Sequence, residues 1–296
     1  VKLQEALREI QSLKKKVRSL TKKIDSIKAA SIEDPSHVGK MLKTRGINVF
    51  RKNPTDRLFF PPDLSPFHKV RFYEMMKRYS FRLVLRDMIK YQDQFRIQDL
   101  THYCSSKVVQ GYCDLLCEIG AVVKNGRGKY RTCVSPLYSF GPTLEWFIAE
   151  VFKREFASPA IYGVSVKKTP SGGDYDVIAC WNRRLVYVEV KSSPPKGIER
   201  NEISTFFSRI DDILPEVAFL FNDTQLRMKD KLVMMFEEEL ERRYGRESKT
   251  SYPVERLIEE LFHVQNHMFI VNSKKDVVEN FRFCLKHYLR YGAKGR

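Results

Sequence analysis

The sequence predicts an α/β core, a mixed sheet flanked by helices in the order αβββαβ, with a small helical domain and an N-terminal coiled-coil helix before it. Three observations predict it. Two apolar strand-like runs, Val177-Ile178-Ala179 and Leu185-Val186-Tyr187-Val188, lie on either side of Arg183-Arg184. Helical patterns at residues 142–152 and 199–214 precede and follow them, so that helices alternate with strands. Upstream the pattern changes to helix, turn, helix and hairpin, and residues 3–27 carry a heptad. The chain therefore divides into a coiled-coil helix (1–30), a basic proline-containing linker (31–66), a helical and hairpin domain (67–136) and the α/β domain (137–296).

In the heptad, Leu3, Ile10, Val17 and Ile24 fall at a, and Ala6, Leu13, Leu20 and Ile27 at d. β-Branched residues at three a positions favour two parallel strands. Glu9 at g can pair with Lys14 at e, whereas Lys23 would face Lys28. A homodimer is the first reading, and a more acidic partner helix is the second. Asp34-Pro35, Asn53-Pro54, Pro61-Pro62 and Ser65-Pro66 then mark the linker as irregular.

From Phe67 an apolar stripe of Val70, Phe72, Tyr73, Met76, Tyr79, Phe81 and Val84 predicts one helix reaching Tyr91. A short helix is expected over residues 95–104, and a turn at Ser105-Ser106 starts the next. That helix has Val108, Val109, Tyr112, Leu115, Leu116 and Ile119 on its apolar face and stops at Gly120. Asn125-Gly126-Arg127-Gly128 between two short β-like runs is a hairpin signal. This order resembles a winged helix-turn-helix. The resemblance implies that Lys107 and Gln110 meet a major groove while Lys124, Arg127, Lys129 and Arg131 on the wing meet phosphates.

Strand alternation puts Leu185, Tyr187, Glu189 and Lys191 on one face and Val186, Val188 and Val190 on the other. A carboxylate and an ammonium thus share a face, and Asp176 begins the strand that most simply pairs with theirs. Asp174 lies two residues away on the same face and competes for the same role. The apolar run directly after Asp176 favours Asp176. Beyond Lys191, residues 193–197 form a loop and residues 217–221 a buried strand. Residues 224–244 and 254–265 read as helices, 268–272 as a strand, and a last helix ends near residue 288. On the helix after the motif, Glu202, Ser204 and Arg209 are placed where they could approach a substrate, with a solvated helix face as the preferred reading.

The Asp176, Glu189 and Lys191 set resembles the PD-(D/E)XK, or restriction-endonuclease-like, nuclease superfamily, over residues 141–223 with a continuation towards 288. The resemblance implies that Asp176 and Glu189 are metal ligands and Lys191 the catalytic lysine. It also implies an accessory acid on the preceding helix, Glu145 first and Glu150 in reserve, and a further ligand in the Val190 carbonyl. No proline precedes Asp176, which follows Gly172-Gly173-Asp174-Tyr175 instead. The implied cofactor is Mg²⁺ or Mn²⁺, a hard cation suited to carboxylate oxygens. Such an ion lowers the pKa of a bound water and polarises a phosphoryl oxygen, while a nearby lysine stabilises developing charge.

A formal net charge of +17 points to polyanionic partners, nucleic acid before an anionic membrane surface. No run of apolar residues is long enough to span a membrane, and the charged start of the sequence lacks a secretory pattern. The six cysteines, without a C-x-x-C pair, read as reduced thiols of an intracellular protein. The expected function is a metal-dependent endonuclease acting on double-stranded DNA. A catalytically inactive DNA-binding or assembly factor and an RNA-directed nuclease are its alternatives. The heptad carries its own expectation: equilibrium sedimentation at micromolar concentration gives a dimer, and a monomer would remove the paired arrangement.

Overall fold

The computed structural model describes residues 13–14, 16–17, 35–126, 128–134, 137–167 and 169–293. Apart from the helical Leu13, Lys14, Lys16 and Val17, the heptad lies outside these residues.

Along the chain, helix α1 (Pro35–Thr44) leads to strand β1 (Asn48–Arg51), and helices α2 (Pro66–Met76) and α3 (Tyr79–Lys90) follow. A short strand β2 (Phe95–Arg96) and a 3₁₀ turn (Ile97–Leu100) come before helix α4 (Ser106–Glu118). Strands β3 (Val122–Lys124) and β4 (Lys129–Thr132) form the expected hairpin, and β2 joins it in a sheet of order β2-β4-β3. Then come α5 (Gly141–Glu155), β5 (Ala160–Lys167), β6 (Asp174–Trp181), β7 (Arg184–Lys191), α6 (Arg200–Ile213) and β8 (Val217–Asn222). The chain closes with α7 (Met234–Tyr244), α8 (Ser248–Ser251), β9 (Val254–Ile258), β10 (Leu261–Val264), β11 (Met268–Asn272) and α9 (Val277–His287).

The large sheet has eight strands in the order β1-β5-β6-β7-β8-β11-β10-β9. β7, β8 and β11 run parallel, and the other neighbours are antiparallel. Helices cover both faces. Val186, Val188, Phe219 and Val271 pack beneath α5, α9 and the α2–α4 unit. Leu185, Tyr187, Leu220 and Ile270 pack beneath α1, α6 and α7. The single-residue alternation read from the sequence in β7 therefore holds. Among the described residues no helix is long and apolar enough to cross a membrane.

Several expectations fail for physical reasons. Within the expected irregular linker, the described residues 35–66 form part of the fold. β1 extends the sheet by pairing with β5, Val38, Leu42 and Ile47 enter one core, and Leu58, Phe59 and Phe60 enter the other. The boundary near residue 137 likewise separates no cores, because Phe72 and Tyr73 of α2 meet Trp146 and Phe147 of α5 in one apolar cluster. The single helix expected up to Tyr91 is two, broken where Arg78 is extended. Residues 95–104 hold a strand and a 3₁₀ turn because Phe95 pairs with Tyr130.

Residues 254–265 show helical spacing yet form the β9–β10 hairpin. The open edge of β11 supplies ladder hydrogen bonds to β10, and that pairing overrides local periodicity. The helix expected from Thr224 begins only at Lys229, with a π turn (Lys229–Val233) before α7. The Glu260 carboxylate accepts the Met228 N–H at 2.7 Å and holds the preceding stretch irregular.

One buried ion cluster ties the α2–α4 unit to the sheet. The Asp223 side chain, just beyond β8, is inaccessible to water and accepts hydrogen bonds from Arg82 Nη2 at 2.8 Å and Arg86 Nη2 at 2.5 Å. Arg82 Nε and the Ser273 hydroxyl donate to the same carboxylate. Burial pushes the Asp223 carboxyl up, and Arg82 and Arg86 more than reverse this, holding it below the usual range. Replacing one partner strands a buried charge. Asp223→Ala is expected to lose ~3–5 kcal/mol of unfolding free energy in urea titrations.

Candidate active site

The site forms where strand alternation breaks. In β5, Ala160 and Tyr162 face the α5 layer, whereas Val164 and Val166 face the α6 layer. In β6, Tyr175 and Val177 face opposite layers although they stand two residues apart. Gly163 and Asp176 lie between the same two strand pairs, Tyr162 with Val177 and Val164 with Tyr175. Both strands change face at this point. Gly163 has φ +53°, and a Cβ there would lie 2.8 Å from the Pro54 ring and 3.6 Å from Glu145 Oε2. Only glycine lets the α5 carboxylate and the Pro54 ring come this close.

Four carboxylates converge there, Asp176 and Glu189 from the sheet, Glu145 from α5 and Glu202 from α6. Asp176 Oδ2 accepts the Val190 N–H at 2.7 Å, and its side chain keeps 17% exposure. Glu189 is 2% exposed, and Lys191 Nζ lies 2.9 Å from its Oε1. Its Oε2 accepts from Arg209 Nη1 at 2.7 Å and from the Tyr187 hydroxyl. Lys191 reaches a second carboxylate, Glu202, at 2.8 Å. The capping box of α6 places Glu202 there, since Glu202 also accepts the Glu199 N–H.

The charges do not cancel evenly. Burial, then the charges of Glu189 and Glu145, push the Asp176 carboxyl well above its usual range, against the Val190 N–H and Arg209. Burial raises Glu189 too, but Lys191 and Arg209 bring it below the usual range. Burial disfavours charge on Lys191, yet Glu189 and Glu202 hold its pKa above the usual value. Glu145 is pushed up to about 7, by burial first and then by Glu189 and Asp174.

Asp176, Glu189, Lys191 and Glu145 are thus brought together, and Val190 supplies a backbone N–H to the group. Asp174, on the exposed end of β6, accepts from the Ser165 hydroxyl. The reserve residue Glu150 lies elsewhere, paired with Lys153 at 3.2 Å and Arg154 at 2.7 Å. Two residues read as solvated turn inward instead, Glu202 to Lys191 and Arg209 to Glu189, while Ser204 accepts from Arg242. Spacing along α6 hid this, because the sheet end beneath it is acidic where an apolar face would be expected. Gly163 was the available signal: a glycine inside the run Ala160-Ile161-Tyr162-Gly163-Val164 marks a bulge or close approach.

Among the described residues no group of three or more His, Cys, Asp or Glu side chains stands in metal-holding geometry. The donor chemistry nevertheless suits a hard divalent cation. Burial, and then the charges of the neighbouring carboxylates, make Asp176 and Glu145 both bind protons more tightly than usual.

In the α2–α4 unit, Lys107 is exposed in the first turn of α4, and Lys124 and Arg131 are exposed on the hairpin. Lys129 donates to Gln94 at 3.3 Å. Gln110 is engaged internally, with Asp114 at 2.7 Å and the Tyr130 hydroxyl at 3.2 Å. Arg127 lies outside the described residues.

No family model and no curated protein matches the sequence. Among solved structures, the chain is similar to protein VC1899 from Vibrio cholerae, with a TM-score of 0.48 and 13% identity over 87% of this chain and 62% of that one. It is also similar to Can2 from Sulfobacillus thermosulfidooxidans in complex with cyclic tetra-adenylate, with a TM-score of 0.40 and 13% identity over 65% of this chain and 52% of that one. The chain therefore spans less than two thirds of either protein.

The Glu145 shift has a pH signature in chelator-treated protein. A carboxyl at about 7 when folded, against 4.5 ordinarily, contributes stability that is complete below the lower value and lost as pH rises through the upper one. Urea unfolding of wild type and Glu145→Gln from about pH 5 to about pH 8 should show the wild type falling relative to the variant, then levelling. A pH-independent difference would contradict the assignment.

Proposed function

We propose that the chain is a metal-dependent phosphodiesterase of the PD-(D/E)XK type that cleaves nucleic acid, with double-stranded DNA as its first substrate. The observation that carries this reading is the meeting of Asp176, Glu189, Glu145 and Lys191 at the break in β5 and β6. Asp176 and Glu189, with the Val190 carbonyl, would hold Mg²⁺ or Mn²⁺. When bound, the ion supplies Lewis acidity towards a phosphoryl oxygen and an acidified water.

The chain's own residues divide the remaining work. Lys191 keeps its proton, because two carboxylates hold it, so it acts by charge on the pentacoordinate phosphorus. Glu145, titrating near neutrality, is suited to accept a proton. Tyr187 donates to Glu189 and fixes its orientation. The net charge of +17 supports a polyanionic substrate. In this reading the α2–α4 unit with its hairpin is a winged helix, offering Lys107, Lys124, Lys129 and Arg131 to phosphates. Gln110 is occupied within its own unit.

The decisive experiment is cleavage of labelled duplex, branched and single-stranded DNA, and of RNA, with Mg²⁺ or Mn²⁺. Asp176→Ala and Lys191→Ala should each lower the rate by ~10²–10⁴-fold. Cleavage persisting in both variants would refute the site, and binding of every substrate without cleavage would favour a scaffold. Cleavage confined to RNA would move the substrate class and leave the residues in place.

A further inference from the structure

The two acidic residues proposed to hold the metal already face a cation, and it comes from α6. Arg209 Nη1 lies 2.7 Å from Glu189 Oε2 and 4.0 Å from Asp176 Oδ1. We propose that Arg209 is the built-in counter-ion of this pair, and that a divalent cation binds only by displacing it from Glu189. This rests on the metal-dependent reading above.

The surroundings of Arg209 fit a residue held on one side only. Its guanidinium lies over the Tyr175 ring, 5.6 Å from the centroid, and Nη1 is 3.4 Å from the Tyr187 hydroxyl. Its Nε is buried without a hydrogen-bond partner. A buried N–H left unmade weakens the hold on the present position. On the far side, a Cβ at Gly173 would lie 3.3 Å from Nη2, so the bare Gly172-Gly173 turn gives the guanidinium its room.

Lys191 has a second carboxylate, Glu202, to hold it apart from Glu189, whereas the carboxylates on Arg209 are the two that a metal would use. A guanidinium cannot shed its charge, so it must move when a divalent ion arrives.

The test is Mn²⁺ affinity of the full chain without nucleic acid, read from the electron paramagnetic resonance of free Mn²⁺. Arg209→Gln is expected to bind about tenfold more tightly than wild type. Equal or weaker binding overturns the proposal. Adding Glu189→Gln to Arg209→Gln should abolish the gain. If the double variant binds as tightly as Arg209→Gln, or no variant binds Mn²⁺, the metal reading itself falls and takes this proposal with it. Should Arg209→Gln be unstable without metal, the rise in its melting temperature with Mn²⁺ reads the same competition. It must exceed the wild-type rise, and a rise no larger overturns the proposal.

Discussion

Asp223 is a carboxylate with no access to water, and it persists there because two guanidinium groups and a hydroxyl surround it. Its partners come from separate parts of the chain: Arg82 and Arg86 from α3, Ser273 from the segment after β11. Arg82 also donates to the carbonyls of Met76 and Lys77, where α2 gives way to α3, and its plane lies over Phe147 of α5. One side chain therefore fixes the helical break, the seat of the helical unit and the end of β8. Apolar surfaces alone tolerate sliding, but a guanidinium with directed bonds to fixed acceptors does not. Removing such a charge pair symmetrically could leave stability intact; its distinct contribution is orientation.

That orientation matters because the candidate site draws on both layers of helices. Glu145 descends from α5, Glu202 and Arg209 come from α6, and the sheet between them supplies Asp176, Glu189 and Lys191. An ordinary sheet would keep the two layers apart. The face change at Gly163 and Asp176 lets side chains from both layers meet at the sheet. Four carboxylates and two cations then meet there, with two of the acids held in unusual proton equilibria.

Much of this was legible in the sequence. The alternation from Leu185 to Lys191, the helices bracketing the strands and the Asn125-Gly126 hairpin are local patterns, and local patterns decided them. Asp176, Glu189 and Lys191 stood out because polar residues interrupt otherwise apolar strands, whereas Glu145 was named only through the family resemblance. What escaped depends on partners distant in the chain. β9 and β10 carry helical spacing and become strands because β11 has an open edge. Leu58, Phe59 and Phe60 sit among prolines and still fill the core. Arg209 looks solvated on a helical wheel, since nothing in α6 shows that the surface beneath it is acidic.

Glu145 has one more consequence. The next two residues on α5, Trp146 and Phe147, pack against Phe60, Phe72 and Tyr73. The carboxylate at the site and the aromatic footing of the α2–α4 unit are therefore consecutive residues of one rigid turn. A change of volume in that footing displaces a charge beside Asp176 and Glu189. In this molecule, core packing is also an acid–base variable.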